Sequence, residues 1–165
     1  FAVYGPGQPP KTLVALAVCA ALEDHDFPMT PGEQMRDFVF VGDVVEGYLR
    51  AAVTAGVEGV SIDLGTGRAW TIREVVMKLF QIAGSRAKPL VGALPYRPSE
   101  TMKQVADPHV ARKLLGWQAT TSLEDGLRQT VDWYRQGYDD AAHQLPVAVR
   151  FPHSPALHAL REDIP

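Results

Sequence analysis

Two arginines carry the residue chemistry that most needs a reason. Arg36 sits between the Pro31-Gly32 turn and an apolar run, where solubility does not require a charge. Arg97 lies in the rigid Pro95-Tyr96-Arg97-Pro98 loop, with Glu100 three residues on. A guanidinium matches a phosphate with two parallel N–H groups, and a neighbouring carboxylate accepts from sugar hydroxyls. On residue type alone, each is also compatible with an ordinary surface arginine. Gly65-Thr66-Gly67 is the other loop of interest, because glycine-rich loops before helices hold phosphates. No third glycine follows at dinucleotide spacing, and Arg68-Ala69-Trp70 separates the loop from the next helix. The spacing therefore favours a plain turn.

Other chemistries find no support. There is no Gly-x-Ser-x-Gly elbow, and Cys19, the single cysteine, sits within an apolar run as a small buried residue would. The five histidines are dispersed, without ligand spacing to a carboxylate or to one another, so no metal site is expected. Glu23-Asp24 and Asp139-Asp140 read as solvated helix ends. The 16 Lys and Arg are scattered and the net charge is -3, which gives nucleic acid no stripe to follow. The apolar stretch Leu13–Leu22 is too short to span a bilayer, and no signal sequence opens the chain. A cytoplasmic location is expected. The 165 residues, 46% hydrophobic and 21% charged, suit one globular domain with a real core. The opening on Phe1 rather than Met reads as a piece of something longer.

The elements that must position the arginines follow from periodicity and punctuation. Phe1–Tyr4 predicts a strand stopped by Gly5-Pro6-Gly7, and Lys11–Glu23 a helix with Leu13, Leu16, Ala17 and Ala20 on one face. Asp26–Thr30 reads as extended and Arg36–Val41 as a strand. Asp43 is expected to cap a helix presenting Val44, Val45, Tyr48, Leu49 and Ala52 on one face. Val60–Leu64 reads as a strand. Thr71-Ile72-Arg73-Glu74 has the form of a capping box, opening a helix that stops at Gly84. Lys88–Leu94 is expected to be extended. Asp107-Pro108 opens a helix ended by Gly116, and Ser122 caps a last helix with Leu123, Leu127, Val131 and Tyr134 inward. Residues 137–165 are expected to form a surface-hugging or disordered tail. Strands alternating with helices argue an α/β layer architecture with some parallel strands.

Seven segments, taken in order, carry a resemblance. They are Val-Tyr-Gly-Pro-Gly-Gln at 3–8, Pro-Gly-Glu-Gln-Met-Arg-Asp-Phe-Val-Phe-Val-Gly-Asp-Val at 31–44, Asp-Leu-Gly-Thr-Gly at 63–67, Tyr-Arg-Pro-Ser-Glu at 96–100, Ala-Asp-Pro at 106–108, Leu-Leu-Gly-Trp at 114–117 and Ser-Leu-Glu-Asp-Gly-Leu at 122–127. Over residues 1–136 the chain resembles the C-terminal half of the NAD-dependent epimerase/dehydratase family, the extended short-chain dehydrogenase/reductases acting on nucleotide sugars. The resemblance implies the C-terminal portion of a Rossmann-type fold with its small substrate-binding subdomain. It implies a nucleotide-sugar substrate, NAD or NADP held mainly by an N-terminal part, and a parent that is a homodimer.

It also implies residue roles. Arg36, with Phe38 behind it, would reach the nucleotide's phosphate or ribose; Arg97 and Glu100 would bind diphosphate and ribose. Phe27 and Met29 would flank the base, and Tyr4, Gly5 and Pro6 would lie beside the nicotinamide. Ala2, Asp63 and Ser99 depart from the family pattern, which often has Asn, Asn and Gly there. No tyrosine is followed at the fourth position by lysine, so the family's catalytic Tyr-x-x-x-Lys pair is not in this chain, and neither is a glycine-rich NAD loop. The expected role is thus nucleotide-sugar binding within an epimerase, dehydratase or reductase, without turnover by this chain alone. Two rivals remain open: an extended reductase of apolar carbonyl compounds, which has no use for two phosphate-reaching arginines, and a non-catalytic nucleotide-sugar-binding module.

Overall fold

The computed structural model describes residues 1–144. Its frame is a short parallel pair, β1 (Ala2–Tyr4) beside β4 (Phe38–Phe40), in the register Ala2 to Phe38, Val3 to Val39 and Tyr4 to Phe40. Successive side chains of a strand point to opposite faces. Tyr4 and Phe38 accordingly enter one core, whereas Val39 enters another. The first core is filled by α1 (Leu13–Leu22), α3 (Ile72–Ala83) and α5 (Leu123–Gln144), through Val14, Val18, Val75, Leu79, Leu127 and Val131. The second is built by α2 (Val41–Val53) and α4 (His109–Leu115), through Val44, Ala111 and Leu115, with Trp117. Helices thus cover both faces of a parallel pair, the layering expected of an α/β protein.

Two smaller sheets carry the loops. β2 (Phe27–Met29) pairs in parallel with β6 (Pro89–Val91). β3 (Met35–Arg36) lies between β5 (Trp70–Thr71), antiparallel, and β7 (Lys103–Gln104), parallel.

The expected capping box is present: the Thr71 hydroxyl accepts from the Glu74 N–H at 3.1 Å, and the Glu74 carboxylate accepts from the Thr71 N–H at 2.8 Å. Gly84 and Gly116 end α3 and α4 in the left-handed conformation, at φ 70° and 57°. Ser122 caps α5, accepting from the Asp125 N–H at 3.1 Å.

Four expectations are corrected. The strand over Arg36–Val41 is split, because the Asp37 N–H donates to Gln104 O while the next three residues pair with β1. Val60–Leu64 is not a strand: Ile62 and Leu64 pack onto the second core, so their alternation reports packing rather than pairing. Asp43 does not cap α2, whose N-cap is Phe40. Instead its buried carboxylate accepts from the Thr120 N–H and hydroxyl and the Thr121 N–H at 3.0–3.1 Å, while its carbonyl accepts from Trp117 Nε1 at 2.8 Å. Finally, α5 continues through Gly137 to Gln144, so the tail does not begin at 137; the rest of that expectation lies outside the described residues.

Close packing fixes one glycine. A Cβ at Gly126 would collide with the Tyr4 hydroxyl, which donates to Leu123 O at 3.2 Å and anchors β1 to the first turn of α5. Burial, with the charges of Asp43 and Asp125 adding to it, pushes the Tyr4 hydroxyl above the ordinary phenol range, so it remains a neutral donor.

Removing the Asp43 carboxylate strands two backbone donors and a hydroxyl in a part-buried junction. Asp43→Ala should cost about 2–4 kcal/mol in urea denaturation, and Asp43→Asn about half of that, because one acceptor oxygen remains.

Candidate functional site

The site grows from β3. Arg36 stands opposite Trp70 on one side and Gln104 on the other, so its side chain shares a sheet face with theirs. Its guanidinium is held at two points. One N–H donates to Met35 O at 3.0 Å and another to a Glu100 carboxylate oxygen at 2.9 Å. The Arg36 and Glu100 side chains are only 17% and 21% exposed, so solvent does not fully screen the pair. The remaining N–H groups of the fork stay available to a further acceptor.

Glu100 closes a turn with Arg97, its N–H donating to Arg97 O at 3.1 Å. The Arg97 side chain is exposed and makes no ion pair among the described residues. The acid three residues after Arg97 therefore neutralises the other arginine, and Arg97 keeps its charge. The turn is anchored upstream too: the Glu33 N–H donates to the Tyr96 hydroxyl at 3.1 Å, and Leu94 N–H to Met29 O at 3.1 Å. Two arginines distant in sequence are thereby brought within a single turn of each other through Glu100.

Beneath Arg36 is a residue to which the sequence reading gave no role. Asp37 is fully buried, and its carboxylate accepts four hydrogen bonds. They come from the Thr66 N–H at 3.0 Å, the Thr66 hydroxyl at 2.6 Å, the Gly67 N–H at 2.8 Å and the Ala106 N–H at 3.2 Å. The Gly65-Thr66-Gly67 loop thus cradles an anion, but the anion is the chain's own. A Cβ at Gly65 would meet Asp37 Oδ2 at 2.9 Å and collide with the Ala106 methyl, so this glycine serves the close approach of the carboxylate. The available signal was a charge lodged inside an apolar run, immediately after an arginine. Arg68, exposed beyond the same loop, lies over the Trp70 ring at 5.6 Å, adding a cation beside β3.

The other expected residues fall elsewhere. Phe38, two residues after Arg36, is buried in the first core, edge-on to Tyr4 at 6.1 Å. Phe27 and Met29 are core residues as well, and the alternation of β2 turns only Pro28 outward. Tyr4 is buried with its hydroxyl engaged, and Gly5 and Pro6 follow it at the carboxyl end of β1. This is the end of a parallel strand at which α/β folds bind ligands. The sequence holds neither a dinucleotide-type glycine-rich loop nor a Tyr-x-x-x-Lys pair.

A family model described as GDP-mannose 4,6 dehydratase matches residues 1–130. The chain belongs to this family. It is 33% identical over 142 residues to dTDP-glucose 4,6-dehydratase of Neisseria gonorrhoeae, covering 79% of this chain and 41% of that protein. Its fold matches UDP-glucose 4-epimerase of Thermotoga maritima, solved with UDP-glucose, with a TM-score of 0.77 and 32% identity over 83% of this chain and 44% of that one. It also matches UDP-glucuronic acid 4-epimerase of Bacillus cereus, solved with UDP-glucuronic acid and NAD, with a TM-score of 0.77 and 31% identity over 84% and 44% of the two chains. The resemblance to nucleotide-sugar epimerases and dehydratases, and the Rossmann-type α/β class, are thereby established. The chain spans less than half the length of each of these relatives.

Asp37 ties β3 to two loops, so its loss should disturb Arg36 without touching it. Asp37→Asn turns an NH₂ toward donors that now meet an oxygen, and should cost about 2–4 kcal/mol in denaturant unfolding.

Proposed function

We propose that this chain supplies the nucleotide-diphosphate clamp of an NAD(P)-dependent nucleotide-sugar epimerase, dehydratase or reductase. The observation that carries the reading is the Arg36–Glu100 ion pair with Arg97 one turn away and unneutralised. Glu100 and Met35 O hold the Arg36 guanidinium in place, so little side-chain freedom is lost when a phosphate arrives. Arg97 provides the charge that Arg36 no longer offers in full. Glu100 retains acceptor capacity for a ribose hydroxyl beside the diphosphate.

The clamp would act by positioning. Binding energy gathered at a diphosphate, remote from the reacting carbon, orients the sugar toward whatever group exchanges its hydride and proton. NAD, when bound, supplies the hydride chemistry. The residues of this chain bind, orient and hold charge. They include no acid/base pair of the Tyr-x-x-x-Lys kind, so the polypeptide on its own is expected to bind nucleotide sugars without turning them over.

The test is calorimetric titration of UDP, dTDP and GDP into the whole polypeptide and its variants. A charge-assisted hydrogen bond to phosphate contributes about 1.5–3 kcal/mol, so Arg36→Ala and Arg97→Ala should each weaken binding about 10- to 100-fold. Arg97→Lys should recover only part of the loss, since an ammonium lacks the two-pronged contact. Arg128, exposed on α5 and paired with Glu124 at 3.2 Å, is the control, and Arg128→Ala should bind like the parent. If all three alanine variants bind alike, the clamp is wrong and an apolar-carbonyl substrate becomes the better reading.

A further inference from the structure

The Arg97 side chain is exposed and has no ion pair among the described residues, so its direction depends on how the turn beneath it is held. That turn runs from Arg97 to Glu100 and is closed by the Glu100 N–H donating to Arg97 O at 3.1 Å. Pro98 occupies its second position, where the ring fixes φ, and a residue that precedes proline is kept out of the helical region. The turn is therefore stiff within itself. What is left to restrain is its freedom to swing as one body against β3.

Two side-chain ties supply that restraint, one on each side of Arg97. Downstream, Glu100 is bonded to Arg36 at 2.9 Å. Upstream, the Tyr96 hydroxyl accepts from the Glu33 N–H at 3.1 Å and donates to the Glu33 carboxylate at 3.3 Å. A hydroxyl can do both at once, which neither a carboxylate nor an ammonium can. Glu33 is itself on firm ground. The Arg73 N–H donates to Gly32 O at 3.0 Å, and the Arg73 guanidinium donates twice to Pro31 O, at 2.8 and 2.6 Å. A Cβ at Gly32 would meet Arg73 N at 2.9 Å, so the Pro31-Gly32 turn is seated directly on the start of α3. A firm line thus runs from α3 through Arg73 and Glu33 to the residue beside Arg97. A single tie at Glu100 would act as a hinge; the second tie removes the rotation.

We infer that Tyr96 is a positioning residue of the nucleotide site: its hydroxyl latches the arginine turn to Glu33 and sets where Arg97 points before a diphosphate arrives. The inference rests on the clamp reading, which gives Arg97 its ligand. The single O–H of Tyr96 is already given to Glu33, so the residue acts through Arg97 rather than by donating to the ligand. Both latch hydrogen bonds are exposed, and water replaces them readily when they break. The latch therefore adds little to stability, and its effect falls on affinity, because a side chain ordered beforehand loses less freedom on binding.

The test is a double-mutant cycle on the whole polypeptide: parent, Tyr96→Phe, Arg97→Ala and the two combined. Each is titrated calorimetrically with UDP, dTDP and GDP, and exchange of the Glu33 amide is followed by NMR without ligand. Tyr96→Phe keeps the ring, so its melting temperature should match the parent's, while the Glu33 amide should exchange at least about fivefold faster. It should bind about three- to tenfold more weakly than the parent. In the Arg97→Ala background the same change should have no further effect on binding, since nothing is left to position. If Arg97→Ala binds worse but Tyr96→Phe binds like the parent, the latch is overturned and the clamp stands. An equal loss from Tyr96→Phe with and without Arg97 also overturns it, because Tyr96 then acts on the ligand by itself. If Arg97→Ala binds like the parent, the clamp reading falls, and the amide decides the latch. Unchanged exchange at Glu33 overturns it; faster exchange upholds it as the holder of the turn.

Discussion

A single buried carboxylate holds the site together. Asp37 stands between β3 and β4, where the chain leaves one sheet and enters another, and gathers four donors from segments far apart in sequence. Burying a charge is costly unless every lone pair is used. Here three backbone N–H groups and one hydroxyl use them. The arrangement converts an otherwise irregular strip, from Gly65 to Gly67 and at Ala106, into a fixed wall against β3. Arg36 inherits its position from that wall, since its neighbour in the chain cannot move without exposing unpaired donors.

The electrostatics of the site are more economical than two free arginines would be. Glu100 neutralises Arg36 and orients it, while Arg97, at the start of the same turn, stays charged. Two unpaired guanidinium groups so near each other would repel. One paired and one unpaired group avoid that cost.

The sequence was most legible where structure is local. The Thr71–Glu74 capping box, the left-handed stops at Gly84 and Gly116, and the cap at Ser122 are each decided within a few residues, and each is observed. The strand at Val3 was legible as well. What failed depends on partners distant in the chain. Val60–Leu64 alternates like a strand, yet no strand among the described residues pairs with it. Asp43 resembles a cap, but Thr120 and Thr121, far along the chain, claim its carboxylate. β5 and β7 are two residues long and largely polar, so neither propensity nor period marks them. Phe27 and Met29, which the resemblance set beside a base, are packed in the first core. The acid at position 100, expected to act with Arg97, is bonded to Arg36, and no local pattern marks that pairing.

The contact between Tyr4 and Gly126 has a consequence for how sequences of this kind can diverge. The phenol ring occupies the volume that any larger side chain at 126 would need, and its hydroxyl is tethered to the same turn of α5. Neither position can change freely while the other stays as it is. A larger residue at 126 is admissible only after position 4 has shrunk, and that step opens a void beneath Phe38 and Phe40, whose rings lie edge-on to Tyr4 at 6.1 and 5.8 Å. The route between two well-packed solutions therefore passes through a less stable intermediate. Positions 4 and 126 should drift together across homologous chains, as a covarying pair whose coupling is steric rather than chemical.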